Sequence, residues 1–222
     1  MNLLLTLSAS FLLAIGACAN AQTPNASVEK GALTTTAPDK TLAVAYFAGG
    51  CFWCTEASFE RIEGVQAVVS GYSGGKKSTA DYKLVASGQT KHAEAIAIYY
   101  DKSVVSYKTL LDVFFVAHDP TTLNRQGPDK GTQYRSEIFF KTAEEEVLAK
   151  AAIDSVNSSK LYANPIVTRL SKFDVFYDAE DYHQGYFELH PTNGYIQNVS
   201  LPKVRKVEKR FYDILKAAYR KA

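Results

Sequence analysis

Residues 41–54 of the chain, TLAVAYFAGGCFWC, decide its fold and hold its most reactive side chains. The first seven are apolar and prone to β structure, which predicts a strand over residues 41–47 that stops at the glycine pair 49–50. Apolar residues at helical spacing follow, and they predict a helix over residues 54–62. The stretch therefore predicts a strand, a tight turn and a helix, with Cys51 at the helix start.

The rest of the chain alternates between further strands and helices. Strands are predicted over residues 65–72, 93–100, 136–141 and 167–176. Helices are predicted over residues 107–118, from a Thr142 cap to about residue 156, and over residues 207–218. The polar, turn-rich segment 119–134 fits no element, which is typical of a functional loop. This alternation predicts a mixed α/β (α+β) fold arranged as a two-layer sandwich.

Composition narrows the class of protein. Of 222 residues, 46% are hydrophobic, and 25 Lys and Arg stand against 23 Asp and Glu. This composition excludes a disordered, collagen-like or coiled-coil chain, and a net charge of +2 gives no reason to expect a nucleic-acid partner. The three cysteines, Cys18, Cys51 and Cys54, are too few for a disulfide framework.

The first 21 residues have the features of a signal peptide. Residues 3–17 are uncharged and too short for a membrane-spanning helix, which is typical of the apolar region of an export signal. Ile15-Gly16-Ala17-Cys18 resembles a bacterial lipobox, which would leave Cys18 as a lipidated N-terminus. Ala19-Asn20-Ala21 is a competing cleavage site that would remove Cys18.

Two further regions follow the signal peptide. Residues 22–40 are polar and rich in Thr, Ala and Pro, which predicts a flexible linker. Residues 41–222 have the length of a single domain, expected to carry the catalysis. We therefore expect an exported bacterial protein, either periplasmic or anchored to a membrane as a lipoprotein.

Cys51 and Cys54 form a C-x-x-C pair at the start of the predicted helix. Free backbone N–H groups and the helix dipole favour negative charge there, so the pKa of the Cys51 thiol is expected to be lowered. Cys54 lies three residues further on the same face, within reach of a disulfide. Phe52 and Trp53 between them are expected to line a pocket for an apolar group. The pattern predicts a redox-active cysteine enzyme.

Other interpretations of the pair stay open at this level. A zinc site needs about four ligands, and one C-x-x-C with four scattered histidines lacks a second ligand pair, so we expect no metal. A thioredoxin-like thiol–disulfide oxidoreductase has the same spacing but usually small, Pro or His residues between its cysteines. A lipoprotein scaffold with a structural cysteine pair would leave the glycine pair and the Phe-Trp insert unexplained.

An oxidised-sulfur substrate would also require a general acid. Its oxygen must be protonated as it leaves, which calls for a carboxyl of raised pKa in an apolar pocket, assisted by phenol donors. Glu94, at the start of a predicted strand, and several tyrosines are candidates. Spacing alone does not select among them.

Several motifs in order along the chain resemble those of peptide methionine-S-sulfoxide reductases, the A-type methionine sulfoxide reductases. The first is GGCFWC at 49–54, and the resemblance covers about residues 43–212. The others are EGV at 63–65, GYSGG at 71–75, Tyr82 with HAE at 92–94, HDPT at 118–121, NRQGPDKGTQYRS at 124–136 and AEDYHQ at 179–184.

This resemblance implies a ferredoxin-like central plait and a reaction without a metal or other cofactor. Cys51 would attack the sulfoxide sulfur, and Glu94 would protonate the sulfoxide oxygen. Tyr82 and Tyr134 would donate hydrogen bonds to that oxygen. Release of methionine would leave Cys51 as a sulfenic acid.

The resemblance also implies how substrate is held and how the enzyme is recycled. Phe52 and Trp53 would hold the substrate methyl group, and Asp129 would contact or support the substrate backbone. Many relatives have glycine where Cys54 stands and carry resolving cysteines in the C-terminal tail. Residues 191–196 contain no thiol, so Cys54 is the expected resolving cysteine. A thioredoxin-like donor would then reduce the disulfide.

The expected substrates are oxidised proteins or free methionine sulfoxide, and a monomer is expected. Lys91 stands where relatives usually have glycine, and Asp81 where they have Pro, Ser or Thr, so the site's rim is expected to differ. The single methionine is the initiator, so the mature chain would contain none of the side chain it repairs.

Overall fold

The computed structural model describes residues 42–220. The predicted signal peptide, residues 1–21, and the predicted linker, residues 22–40, lie outside the described residues. Within the described part of the chain, no helix combines the length and apolar character needed to cross a membrane.

Strands and helices alternate through residues 42–220. The strands are β1 (Ala43–Gly49), β2 (Val65–Ser73), β3 (Ala93–Tyr100), β4 (Arg125–Gln126), β5 (Asp129–Lys130), β6 (Ser136–Phe140), β7 (Arg169–Lys172) and β8 (Phe176–Asp178). The α-helices are α1 (Phe52–Glu60), α2 (Tyr82–Ala86), α3 (Tyr107–Ala117), α4 (Ala143–Ser159), α5 (Tyr186–Leu189) and α6 (Leu201–Arg210). A π-helix, Ile196–Ser200, runs directly into α6.

Six strands form one sheet in the order β7-β6-β1-β3-β2-β8. Neighbouring strands are antiparallel except β6 and β7, which are parallel. Phe47 of β1 lies opposite Ile96 of β3 and Ile138 of β6. The strand before the cysteine pair is therefore central in the sheet, held by hydrogen bonds on both sides.

The main core lies between this sheet and helices α1 and α3. The Phe47 ring, 1% exposed, packs on Phe59 of α1 and on Tyr107 and Phe114 of α3, with ring centroids 5.0 to 5.9 Å apart. A smaller cluster on Ala48 and Phe139 is packed with Phe173 and Phe176, which come from a loop and an edge strand. The mixed α/β fold predicted from the sequence is confirmed.

The predicted strand over residues 167–176 is wrong. The segment forms two strands at opposite edges of the sheet, with β7 beside β6 and β8 beside β2. Between them the chain crosses the sheet, and Phe173 stacks on Tyr46 of central β1 with 3.9 Å between ring centroids. The alternation of apolar and polar residues in the sequence continues through this crossing, because Phe173 and Phe176 pack against the sheet. The alternation therefore does not mark a single strand.

The predicted C-terminal helix over residues 207–218 is also wrong in position. Helix α6 begins six residues earlier, at Leu201, and its cap at Phe211 donates its N–H to Val207. Pro202 in its first turn fits there, since the first N–H groups of a helix have no partner within it. The other predicted boundaries fall within three residues of the observed ones. The loop 119–134 contains the small β4–β5 hairpin and a 3₁₀ turn.

Arg61 after α1 joins three helices, and its removal tests that junction. Its guanidinium binds Glu208 of α6 at 2.7 Å and Glu188 of α5 at 2.8 Å, and its side chain is only 6% exposed. We expect Arg61→Met to lower the free energy of unfolding by about 2 kcal/mol, because a buried ion pair loses its cation. The measurement is urea denaturation. Lys108→Met breaks an exposed pair with Asp112 and should cost under about 0.5 kcal/mol; equal losses would contradict the prediction.

Candidate active site

Cys51 lies where the central strand turns into α1. Gly50 has φ +88°, and a Cβ there would come within 2.4 Å of Gln126, so the turn requires glycine. Cys51 caps α1, and its carbonyl accepts the Cys54 N–H at 3.1 Å. The predicted strand, glycine turn and helix with cysteine at its start are confirmed.

The two cysteines are buried, free thiols hydrogen-bonded to each other. Burial raises the pKa of Cys51, and its contacts with Cys54 and the Glu94 carboxyl raise it further. The pKa of Cys54 is lowered to about 7, because the Cys51 thiol donates to it and Lys203 and Ser200 stabilise its anion. The expectation of a lowered pKa at Cys51 is therefore wrong for the free protein. Burial beside a carboxyl raises the pKa of this thiol by more than the start of the helix lowers it.

Glu94 is the second residue of β3 and lies beside the cysteine turn. In the antiparallel pair of β1 and β3, Phe47 lies opposite Ile96. Two residues further along this register, Gly49 lies across from Glu94. The carboxyl is 2% exposed, and its Oε2 accepts the Phe52 N–H at 3.1 Å. Burial raises the pKa of Glu94 to about 8, with a further contribution from Asp129. Glu94 is therefore mostly protonated at neutral pH and is a proton donor.

Tyr82 and Tyr134 lie near this carboxyl. Burial raises the pKa of Tyr82 to about 12, and it also raises the pKa of Tyr134. For both phenols, the second largest cause of the raised pKa is the nearby Glu94 carboxyl. Both phenols therefore keep their protons and remain hydrogen-bond donors. Tyr82 is held at the first residue of α2, where its backbone N–H donates to Glu180 at 2.9 Å.

Phe52 and Trp53 form an aromatic wall with side chains from the C-terminal part of the domain. Phe52, 1% exposed, packs on His183 with 5.0 Å between ring centroids. Trp53 donates its indole N–H to His183 Nδ1 at 3.1 Å and stacks on Tyr186 at 3.8 Å. The wall can hold a small apolar group beside the thiol.

Tyr195 is a site residue that the sequence analysis missed. Its hydroxyl donates to the Asp129 carboxylate and contacts the Cys51 thiol, and burial raises the pKa of Tyr195. Asp129 lies on β5 of the small hairpin, so Tyr195 connects the C-terminal segment to the loop 119–134. No spacing signal distinguishes Tyr195 among 14 tyrosines, since it lies 66 residues from Asp129 in the chain.

Asp81 and Lys91, the two unusual rim positions, have local roles. The Asp81 carboxylate caps α2 by accepting the backbone N–H groups of Lys83 and Leu84, which fixes the helix that carries Tyr82. The Lys91 side chain is exposed, and its backbone carbonyl accepts from the Arg135 guanidinium at 3.1 Å.

The structure thus brings together every site residue named from the sequence. A thiol pair, a protonated carboxyl, two phenols and an aromatic wall surround one point at the end of the central strand. Such a site can attack an electrophilic sulfur and protonate an oxygen that leaves it.

Comparisons of the sequence with known proteins agree with this chemistry. A family model described as peptide methionine sulfoxide reductase matches residues 43–215. A protein of Rhodopirellula baltica named peptide methionine sulfoxide reductase MsrA 1 is 51% identical over 175 residues, which are 79% of this chain and 90% of that protein. Peptide methionine sulfoxide reductase MsrA 2 of Synechocystis sp. is 48% identical over 195 residues, 87% of this chain and 90% of that protein.

Solved structures show the same likeness. Mxr1 from Saccharomyces cerevisiae in reduced form superposes with a TM-score of 0.64 at 35% identity, covering 69% of this chain and 88% of that one. Methionine sulfoxide reductase A of Corynebacterium diphtheriae superposes with a TM-score of 0.65 at 30% identity, covering 70% of this chain and 78% of that one.

Proposed function

The chain belongs to the peptide methionine sulfoxide reductase family, and from that membership we propose how its own residues carry out the reaction. It is an enzyme that reduces methionine-S-sulfoxide, free or within oxidised proteins, to methionine. The observation that carries the proposed roles is the buried Cys51 thiol beside Glu94, a carboxyl whose raised pKa of about 8 keeps it protonated.

In the first half of the reaction, the Cys51 sulfur attacks the sulfoxide sulfur while Glu94 gives its proton to the oxygen. The Cys51 thiol proton passes to Glu94, so the carboxyl is regenerated. Methionine leaves, and Cys51 keeps the oxygen as a sulfenic acid. The substrate sulfur is reduced by two electrons and the Cys51 sulfur is oxidised by two. Burial raises the pKa of both groups, so both hold their protons near neutral pH and can exchange them during the reaction.

The other site residues hold the substrate for this step. Tyr82 and Tyr134 donate to the sulfoxide oxygen, a role supported by the raised pKa values of both phenols beside Glu94. Phe52 and Trp53 hold the methyl group within the aromatic wall. Asp129, with Tyr195 bound to it, supports the substrate backbone.

In the second half, Cys54 resolves the sulfenic acid to a Cys51–Cys54 disulfide. The interaction between the two thiols, each of which shifts the pKa of the other, supports this pairing, as does their separation of three residues at the start of α1. A thioredoxin-like donor reduces the disulfide, and no metal or cofactor takes part.

A second proposal concerns the architecture. The unit β1-α1-β2-β3-α3-β6 is a ferredoxin-like plait. It is supported by the antiparallel strand order β6-β1-β3-β2 and by α1 and α3 packing on the same face through Phe47.

A third proposal concerns the N-terminal regions and the location of the enzyme. The export signal lies within residues 1–21 and is cleaved before Cys18, residues 22–40 form a linker, and residues 41–222 form the catalytic domain of an exported bacterial monomer, anchored through a lipid on Cys18. The uncharged run and the lipobox-like segment support export and the lipid anchor. We expect the intact mass of the mature protein to fit an N-terminal, acylated Cys18. An N-terminus at Gln22 would instead indicate the competing site, and an uncleaved Met1 would contradict export.

The reaction is tested with the separate S and R epimers of a methionine sulfoxide peptide and dithiothreitol as reductant. We expect turnover of the S epimer alone, and at least about a thousandfold loss in Cys51→Ser because the thiol that attacks the sulfoxide sulfur is lost. Reduction of insulin disulfides with no sulfoxide turnover would favour the thioredoxin-like alternative. Full activity in Cys51→Ser would show that another group is the nucleophile.

Glu94 gives the first half-reaction its pH dependence. Since the acid must be protonated and its pKa is about 8, methionine formation should decline as the pH rises through about 8. Glu94→Gln should lower the rate by about 10² to 10³ and abolish that decline. Glu56→Gln is the matched control: burial raises the pKa of Glu56 to about 8 too, but its carboxylate binds Ser70 and Gly185. An unchanged pH profile in Glu94→Gln would refute the assignment.

A further inference from the structure

Two polar groups from the C-terminal part of the domain face the Cys54 sulfur. Ser200 Oγ lies 3.1 Å from Cys54 Sγ, and Lys203 Nζ lies 4.0 Å from it. Neither belongs to the motifs on which the family resemblance was drawn. We propose that Ser200 and Lys203 are positioning residues that hold the Cys54 thiolate and thereby set the rate at which it resolves the Cys51 sulfenic acid. This inference rests on the proposed function of Cys54.

The local backbone brings these two side chains onto one face. Ser200 ends the π-helix Ile196–Ser200, and Lys203 lies in the first turn of α6, three residues later. A π-helical turn shifts the residues that follow it around the helix axis, and such turns often occur at functional sites. Val204 and Val207, both fully buried, fix the orientation of α6 against the rest of the domain.

The charged and titratable groups around Cys54 can each be assigned an effect on its anion. Tyr195 interacts with Cys54, and its raised pKa keeps it neutral. The Cys51 thiol donates to Cys54, and Lys203 and Ser200 stabilise the anion, while burial and the Asp129 carboxylate oppose it. The net result is a pKa of about 7 for Cys54 instead of 9. Glu94 also interacts with Cys54 and is protonated near neutral pH, so it adds little negative charge. Ser200 is fully buried, so its hydroxyl has no competing water to bind.

The step that this arrangement serves is the closure of the disulfide. The Cys54 thiolate attacks the sulfur of the Cys51 sulfenic acid, the new S–S bond forms and the S–O bond breaks. The departing hydroxide takes up the proton that the Cys54 thiol had released, so water leaves. The Cys51 sulfur is reduced by one electron equivalent and the Cys54 sulfur is oxidised by one. Only the thiolate is an effective nucleophile, so the rate follows the ionised fraction of Cys54.

The two halves of the reaction separate this role from the rest of the mechanism. Cys51 interacts with Glu94 and Tyr195, whereas Ser200 and Lys203 face Cys54. Removing Lys203 should therefore slow disulfide closure and leave methionine formation nearly unchanged.

The experiment is a single turnover of the full chain with one equivalent of S-epimer peptide and no reductant. Methionine release is followed by rapid quench, and closure by the fluorescence of Trp53, the only tryptophan, which lies between the two cysteines. Dimedone traps any lasting sulfenic acid. The variants are Lys203→Met, Lys203→Arg and Ser200→Ala. The matched controls are Lys209→Met, an exposed lysine of the same helix, and Ser58→Ala, a buried serine bound to the Cys54 carbonyl rather than its sulfur.

We expect Lys203→Met and Ser200→Ala to slow closure about tenfold at pH 7 and to accumulate dimedone adduct, with methionine release changed less than about twofold. The slowing should shrink above pH 9, where the thiol ionises without help. Lys203→Arg should retain most of the rate, and the controls should behave as wild type. If Ser200→Ala does not fold, Lys203→Met, at a half-buried position, retains the test.

Closure at the wild-type rate in Lys203→Met at pH 7 would overturn the inference, as would a slowing that persists unchanged above pH 9. Equal slowing of methionine release would show that Lys203 acts on the first half of the reaction instead. Wild-type methionine release without a Cys51–Cys54 disulfide would refute the role of Cys54 and this inference with it. No methionine at all would refute the proposed function itself.

Discussion

The hydrogen bond from the Phe52 backbone N–H to the Glu94 carboxyl joins the two elements on which the site depends. Phe52 begins α1 and Glu94 is the second residue of β3, so one 3.1 Å contact fixes the acid against the helix start that holds both thiols. The first N–H groups of a helix lack internal partners and favour a carboxylate. Burial nevertheless dominates, and the acid keeps a raised pKa. The carboxyl is therefore held in place as an anion would be, yet remains protonated for catalysis.

The two thiols of the C-x-x-C pair differ because they face different parts of the fold. Cys51 lies at the base of a site containing a carboxyl and a phenol, where burial disfavours its anion. Cys54 faces an ammonium group and a serine hydroxyl. Near neutral pH the Cys51 thiol therefore keeps its proton, whereas a substantial fraction of Cys54 is thiolate, the form that attacks sulfur. The two thiols lie within one helical turn but have different roles, because different elements of the fold pack against each sulfur.

The C-terminal third of the described chain completes the site. Tyr195 precedes the π-helix, Ser200 ends it and Lys203 follows it. His183 and Tyr186 support the aromatic wall. These residues reach the cysteines because the chain crosses the sheet between β7 and β8 and returns beside α1. Arg61 then binds α1 to α5 and α6 through partly buried hydrogen bonds. The strand–turn–helix of residues 43–60 thus supplies the nucleophile, and the C-terminal segments supply its environment.

The sequence by itself determined the central strand, the glycine turn, the cysteine pair at the helix start and the mixed α/β class. These depend on local periodicity and on glycine at a left-handed position, which neighbouring residues specify. The family motifs named Glu94, Tyr82, Tyr134 and Asp129, and the structure brings them together. The tertiary structure alone decided two features of the fold: the split of residues 167–176 into two edge strands and the position of α6. It also decided the roles of Tyr195, Ser200 and Lys203 and which of the two thiols has the higher pKa. Each depends on contacts between residues far apart in the chain, and burial, which sets a pKa, is a property of the assembled fold and not of local spacing.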